Sequence, residues 1–260
     1  MKMLAMGQNY IRGIAMSKEP ELLFKYRKLS SETELERCID IVAQKRLYFP
    51  TIDKLNDRLE AASVDIRLPV AGYQIAVAAE RTHPIVEGVK QRFHVLSLSE
   101  NCFSSQLWGY YTDYTGICFC FKNEGVFRQA KPICYTSQIE ETRPKNLAEM
   151  AEDIRTSLFR KQLGWEREQE WRIVEETQER FFSFPDGILA AVIIGDRTPN
   201  KLLEPFLQCL PSNLSIFTTY PCMFSGCLGA IPTDYVDRGG GERLPVITTV
   251  DELAAILKNG

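Results

Sequence analysis

Histidine is nearly missing from this chain: His83 and His94 are the two in 260 residues. Serine and cysteine nucleophiles are usually activated by a histidine base. Neither histidine sits in a recognisable partner motif, so hydrolysis by a Ser-His or Cys-His pair is not expected. Long apolar runs are missing too. No stretch approaches the roughly 18 apolar residues that suggest a membrane span. Residues 1–16 carry Lys2 and Arg12 but no continuous apolar region, so a signal peptide and a membrane partner are not expected. Nor is one sign of charge in excess: 31 Lys and Arg against 34 Asp and Glu leave a formal charge of −3, which announces no polyanion. Repeats and low-complexity blocks are absent.

Cysteine is present, but its arrangement excludes metal chemistry of the usual kinds. Cys118-x-Cys120 lies in a strand-like run, and Cys222 and Cys227 have no second pair, so no zinc spacing results. Cys38, Cys118, Cys120 and Cys134 sit in apolar or periodic runs, where a free thiol behaves as a small hydrophobe. No metal is expected, and a reduced cytoplasm is the expected compartment. At 45% hydrophobic residues the chain can bury a large core.

What the sequence does have is one dense stretch, Lys161-Gln-Leu-Gly-Trp-Glu-Arg-Glu-Gln-Glu-Trp-Arg172, holding two tryptophans, three carboxylates and two arginines. Gly164 reads as the stop of a preceding helix, since glycine takes positive φ cheaply. A strand is expected from about Glu168. Alternation then puts Glu168, Glu170 and Arg172 on one face, and Trp171 and Ile173 on the other. Two readings of the polar face stand: a solvated strand edge with Arg172 screening Glu170, or a carboxylate site with its own positioning arginine.

In chain order, residues 1–20 form a lead-in and Glu21–Arg27 a first strand. Ser31-Glu-Thr-Glu34 has capping-box form ahead of a helix to about Gln44 that presents Leu35, Ile39 and Val42. Arg46–Phe49 is a short strand closed by Pro50, and Asn56-Asp57 supplies turn chemistry. A helix is expected over 70–81, with Pro84 closing it. Strands follow at Arg92–Ser99, Gly116–Phe121 and Lys131–Tyr135, with a helix over Ser104–Thr112 broken by Gly109. A long helix is expected from Pro144 to Leu163, with proline in its first turn. Further strands lie at Ile188–Gly195 and Leu214–Phe217, with a helix over Asn200–Cys209. Thr249-Val-Asp-Glu252 caps a last helix. The expected fold is α+β, with a mixed or mostly antiparallel central sheet flanked by helices. The main domain spans 21–220, and 221–260 is an extension with a short helix.

Several short pieces in order carry a resemblance: Lys25-Tyr-Arg27, Asn56-Asp57, Ser97-Leu-Ser-Glu100, Leu107-Trp-Gly-Tyr-Tyr-Thr112, Ile133-Cys-Tyr135 and Trp165-Glu-Arg-Glu-Gln-Glu-Trp-Arg172. Together they resemble the bacterial domain-of-unknown-function family numbered 2971, over about residues 22–220. Arg58-Leu59 stands where that family has Pro-Phe, and Ser97-Leu98 where it has Cys-Phe. The order of an early Tyr26 and Arg27, then Ser97 or Ser99, then Glu168-Gln-Glu170 is also similar to the ADP-ribosyltransferases.

That similarity implies an ADP-ribosyltransferase-like fold and an NAD-consuming transferase or NAD glycohydrolase, in a bacterial toxin or phage-defence setting. NAD would be the substrate, and a protein or nucleic acid the acceptor. On this reading Glu170 stabilises the oxocarbenium-like charge as nicotinamide leaves, and Glu168 serves the acceptor nucleophile. Arg27 holds the pyrophosphate, and Trp108, Tyr110 or Tyr111 stacks on a ring. The plainer roles are core tryptophans, a turn at Asn56-Asp57, an Arg27–Glu170 pair, and a solvated Lys161 or one paired with Glu168. Two other functions fit the same residues. One is a non-enzymatic sensor or partner-binding module. The other is a metal-dependent nuclease using Asp57, Glu100, Glu168 and Glu170 with Lys161.

Overall fold

A computed structural model describes residues 19–56, 69–70, 73–74, 84–137, 144, 146–222, 227–233 and 246–259. The chain opens with strand β1 (Leu22–Lys28), helix α1 (Glu32–Ala43) and strand β2 (Arg46–Tyr48). Ser31 caps α1 by accepting from Glu34 N at 3.3 Å; the Glu34 carboxylate reaches back to Ser30 N and Oγ, one residue earlier than a standard capping box. Two short strands, β3 (Pro69–Val70) and β4 (Tyr73–Gln74), pair with each other. They are strand at residues 70, 73 and 74, where a helix is expected over 70–81; the rest of that segment lies outside the described residues. Pro84 starts helix α2 (Pro84–Lys90) and does not close one, as suits a residue whose missing N–H costs nothing in a first turn.

Next come β5 (Phe93–Ser99), a single turn α3 (Ser105–Leu107) that runs into a π-helical turn at Trp108–Thr112, and β6 (Gly116–Lys122). The expected strand at Lys131–Tyr135 is two pieces in different sheets, β7 (Lys131–Pro132) and β8 (Cys134–Thr136). The long helix expected from Pro144 to Leu163 is shorter: α4 (Leu147–Ser157) is capped by Asn146 and ends at Leu158. Arg160–Gln162 is then β9, parallel to β8. Gly164 lies in a 3-10 segment over Leu163–Glu168 and stops no helix; the left-handed residue is Gln169, at φ 44°. So β10 (Glu170–Glu176) begins two residues later than expected.

The chain finishes with β11 (Phe181–Ser183), β12 (Leu189–Ile194), α5 (Asn200–Gln208), β13 (Ser215–Cys222), β14 (Cys227–Pro232) and α6 (Val250–Asn259). Thr249 and Glu252 form the expected reciprocal cap on α6. The boundary drawn at residue 220 falls inside β13, which β14 extends by six register pairs. Among the described residues no helix is long and apolar enough to cross a membrane.

The architecture is α+β around one mixed eight-stranded sheet, in the order β14-β13-β12-β6-β1-β5-β10-β7. Within this sheet only β12 and β13 pair in parallel. The continuous apolar run of β6 is explained by burial on both faces at the sheet centre. One face carries the largest core, with Leu23, Phe119, Phe121, Trp171 and Ile173 under α1 and α5. The other carries two smaller cores. Phe24, Cys118, Cys120 and Trp108 pack with α6, while Phe93, Val95, Met150 and Ile154 pack under α4. Between these two smaller cores lies the polar cluster described next. Cys38, Cys118 and Cys120 are buried free thiols, as expected from their apolar or periodic runs, and Cys102 is buried too, but Cys134 is exposed.

Candidate functional site

The sheet is incomplete at one seam. β1 pairs with β6 along all seven residues, but with β5 at a single position, Phe24 opposite Ser99. Beyond Phe24 the ladder would set Tyr26 against Ser97. Instead the Lys25 side chain crosses to the Ser97 carbonyl oxygen at 2.6 Å. The Tyr26 hydroxyl donates to Asn101 O at 2.8 Å. Strand β10, by contrast, pairs with β5 over seven positions, setting Glu170 against Ser99 and Arg172 against Ser97. The gap between β1 and β5 opens into a cavity of about 340 Å³. Its lining includes β1 from Phe24 to Arg27, Ser97 and Ser99 of β5, Arg37 of α1, Tyr48, Lys54, Asn56, Tyr111, and the side chains of Lys161, Glu168, Glu170 and Arg172.

Four charges are buried at its floor. Arg172, 1% exposed, donates from Nε to Glu170 Oε1 at 2.7 Å and from Nη2 to Glu170 Oε2 at 2.9 Å. Its Nη1 caps α4 by donating to Leu158 O at 2.8 Å, a favourable place for a cation beside a helix C-terminus. Lys161 donates to Glu168 Oε2 at 2.5 Å and to Glu170 Oε2 at 3.0 Å. Its ammonium lies 4.8 Å from the Trp165 ring centroid. Tyr111 donates to the other Glu168 oxygen at 2.7 Å. The cluster is thus two carboxylates balanced by two cations, the condition under which charges survive burial.

Burial by itself would raise the Glu170 pKa. Arg172, Lys161 and the Ser97 hydroxyl overcome it and hold the carboxyl down to about 2. Lys25 moves the opposite way: burial, then Arg27, lower its pKa to about 7, with Glu170 partly offsetting them. Arg27 is lowered by burial as well, and its Nε is buried without a hydrogen-bond partner. Six cationic side chains line the cleft (Lys25, Arg27, Arg37, Lys54, Lys161 and Arg172) against the carboxylates of Glu168 and Glu170. Its field therefore favours an anion.

Most residues singled out in the sequence meet here. Arg27 and Glu170 line the same cleft without pairing to each other, because Arg172 and Lys161 take the carboxylate. The solvated-edge reading of Glu170 and Arg172 fails, since they are 5% and 1% exposed. Glu168 is reached by a different route from the one expected: it ends the 3-10 segment and is not on the strand, and the left-handed Gln169 turns both carboxylates toward Lys161. Ser99 clasps the backbone, donating to Glu168 O at 2.7 Å. Tyr26 is a wall residue, its ring edge-on to Trp108 at 5.3 Å.

Trp108 does not reach the cleft. It is fully buried and donates to Cys102 O at 2.8 Å. Tyr110 is exposed and packs on Trp165. Asp57 lies outside the described residues. Glu100 accepts from Trp171 Nε1 at 2.8 Å, on the Trp171 side of the sheet, so it does not converge with Glu168 and Glu170. Among the described residues no group of three or more metal-ligating side chains forms.

Two contributors were quoted in the resemblance but given no role at the site. Lys25 had a local signal, because it alternates with Arg27 and shares its side of β1. Tyr135, which accepts from Glu170 N at 2.8 Å, had no local signal for such a role, since β8, which carries it, pairs in parallel with β9. Comparison of the chain with protein-family models, with curated proteins and with solved structures finds no match.

Proposed function

We propose that the protein is an NAD-consuming enzyme of the ADP-ribosyltransferase type, working as a transferase or an NAD glycohydrolase. The observation that carries this reading is a single cleft lined by both Arg27, a guanidinium with an unpartnered nitrogen, and Glu170, a carboxylate held ionised. Cleavage of the nicotinamide–ribose bond develops positive charge on the ribose, and a fixed carboxylate stabilises it. With a pKa near 2, Glu170 serves as an anion and not as a proton donor. Arg27 suits a pyrophosphate, which accepts two parallel hydrogen bonds from a guanidinium. Tyr111, fixed through its hydroxyl to Glu168, offers a ring edge to the nicotinamide.

At about 340 Å³ the cavity encloses one mononucleotide half and leaves the other along the mouth, beside Arg37 and Lys54. Glu168 orients the acceptor, a protein or nucleic acid, and a toxin or phage-defence role follows from such an activity. The test is nicotinamide release from NAD by wild type and by Glu170→Gln, with and without cell lysate to supply an acceptor. Release by wild type and its loss in a folded variant supports the reading; no release in any arm sinks it.

One observation favours a second reading, a binding module that does not turn its ligand over. Glu170 accepts from Arg172 twice, from Lys161 and from Ser97, which fills its four lone-pair sites. On that reading NAD or a related nucleotide raises the melting temperature, and no nicotinamide is released.

A further inference from the structure

Among the buried cations of the cleft, Lys25 is the odd one. Lys161 and Arg172 each hold a carboxylate, whereas Lys25 gives its hydrogen bond to a neutral carbonyl, Ser97 O, at 2.6 Å. It forms no ion pair among the described residues. A lysine in such a place is unusual, because an ammonium leaving water normally demands a counter-charge. It sits half-buried where the β1–β5 ladder stops, and its nitrogen reaches the Ser97 carbonyl of β5 across the gap that forms the cavity. Arg27, two residues on along β1, lines the same cavity with an unpartnered Nε, and the exposed Arg37 lines it too.

We propose that Lys25 is a covalent-capture residue: its amine condenses reversibly with the carbonyl of a phosphorylated aldehyde, of the open-chain aldose phosphate class, whose phosphate is held by Arg27. The amine lone pair attacks the carbonyl carbon, and the C=O pair moves to oxygen, which takes up a proton as the nitrogen gives one up. The carbinolamine then loses its hydroxyl together with the remaining amine proton as water, leaving a C=N bond. Amine plus aldehyde become imine plus water, with no redox step, and hydrolysis reverses it. An N–H donated to Ser97 O leaves the lone pair of the neutral amine unused.

Burial favours that neutral form, and the net of the surrounding charges does not undo it. Leaving water disfavours the ammonium most, Arg27 on β1 and Arg172 on β10 add to this, and Glu170 and Glu168 only partly offset them, so the pKa falls to about 7. An appreciable fraction of Lys25 is therefore nucleophilic at neutral pH, as in lysines that form Schiff bases.

The inference is independent of the NAD reading, because it is read as mass added to Lys25 and not as nicotinamide released; either can fail alone. The full chain is incubated at neutral pH with pyridoxal 5′-phosphate, reduced with cyanoborohydride and mapped by peptide mass, in parallel with pyridoxal, which lacks the phosphate. The expected result is one labelled site, Lys25, with the phosphorylated aldehyde favoured about tenfold, the worth of a charge-assisted contact. Arg27→Ala abolishes that preference, and Lys25→Arg abolishes the label, while the surface control Lys201→Arg keeps it. Label spread over exposed lysines, equal labelling by both aldehydes, or label surviving in Lys25→Arg overturns the proposal. Should Lys25→Arg not fold, the site of labelling and the comparison of aldehydes in wild type still decide.

Discussion

Arg172 and Glu170 stand two residues apart on one strand and hold each other through two hydrogen bonds, at 2.7 and 2.9 Å, with the guanidinium 1% exposed. Because neither side chain is solvated, each is the main compensation for burying the other.

Breaking that pair from one side leaves an uncompensated buried charge. Glu170→Gln and Arg172→Met should each lower stability by about 3–5 kcal/mol in urea unfolding. The double variant should cost clearly less than the sum, since both partners go together. Additive losses would mean that the two side chains act separately.

Acid should weaken the fold through the same carboxylate. The folded pKa of Glu170, about 2, lies below its ordinary 4.5. A depressed carboxyl contributes stability above its unfolded value and loses it as pH falls through the folded one. The urea midpoint of wild type should therefore drop between about pH 4.5 and pH 2. The drop should be smaller in Glu170→Gln, measured from that variant's own neutral-pH midpoint.

Lys25 should act at the other end of the scale. Its folded pKa, about 7, lies below its ordinary 10.5. Between these values the unfolded chain binds the extra proton, so this group makes stability rise with pH over that window. The urea midpoint of wild type should gain from pH 7 to pH 9.5 relative to Lys25→Met, which has no proton to release. Parallel profiles would show that Lys25 titrates normally.

Arg27→Ala should separate binding from folding. Among the described residues its guanidinium makes no hydrogen bond or ion pair and its buried Nε has no partner, so its loss strands no described acceptor and should cost under about 1 kcal/mol of stability. Affinity for ADP-ribose or pyrophosphate, measured by calorimetry, should fall about 10- to 100-fold, as for loss of a charge-assisted pair.

Local patterns made much of this legible. The caps at Ser31 and Thr249 mark α1 and α6, and the apolar runs of β6 and β12 mark the sheet centre, because capping and burial on both faces leave short-range signals. Lys161 was misplaced at a helix end, since nothing near Leu158 announces that the chain turns into a strand parallel to β8. The helix expected over 70–81 failed at Val70, Tyr73 and Gln74, which pair in a two-stranded ladder. Short apolar stretches do not distinguish the two.

By itself the sequence determined that Glu170 and Arg172 share a face opposite Trp171 and Ile173, because alternation along a strand is a local property of the backbone. Only the tertiary structure decided that this face is buried and that a cleft opens beside it. That cleft exists because β1 leaves β5 after Phe24, and Lys25 meets Ser97 across 72 residues of chain. Where a ladder stops is set by the packing of both faces at once, which no local pattern records.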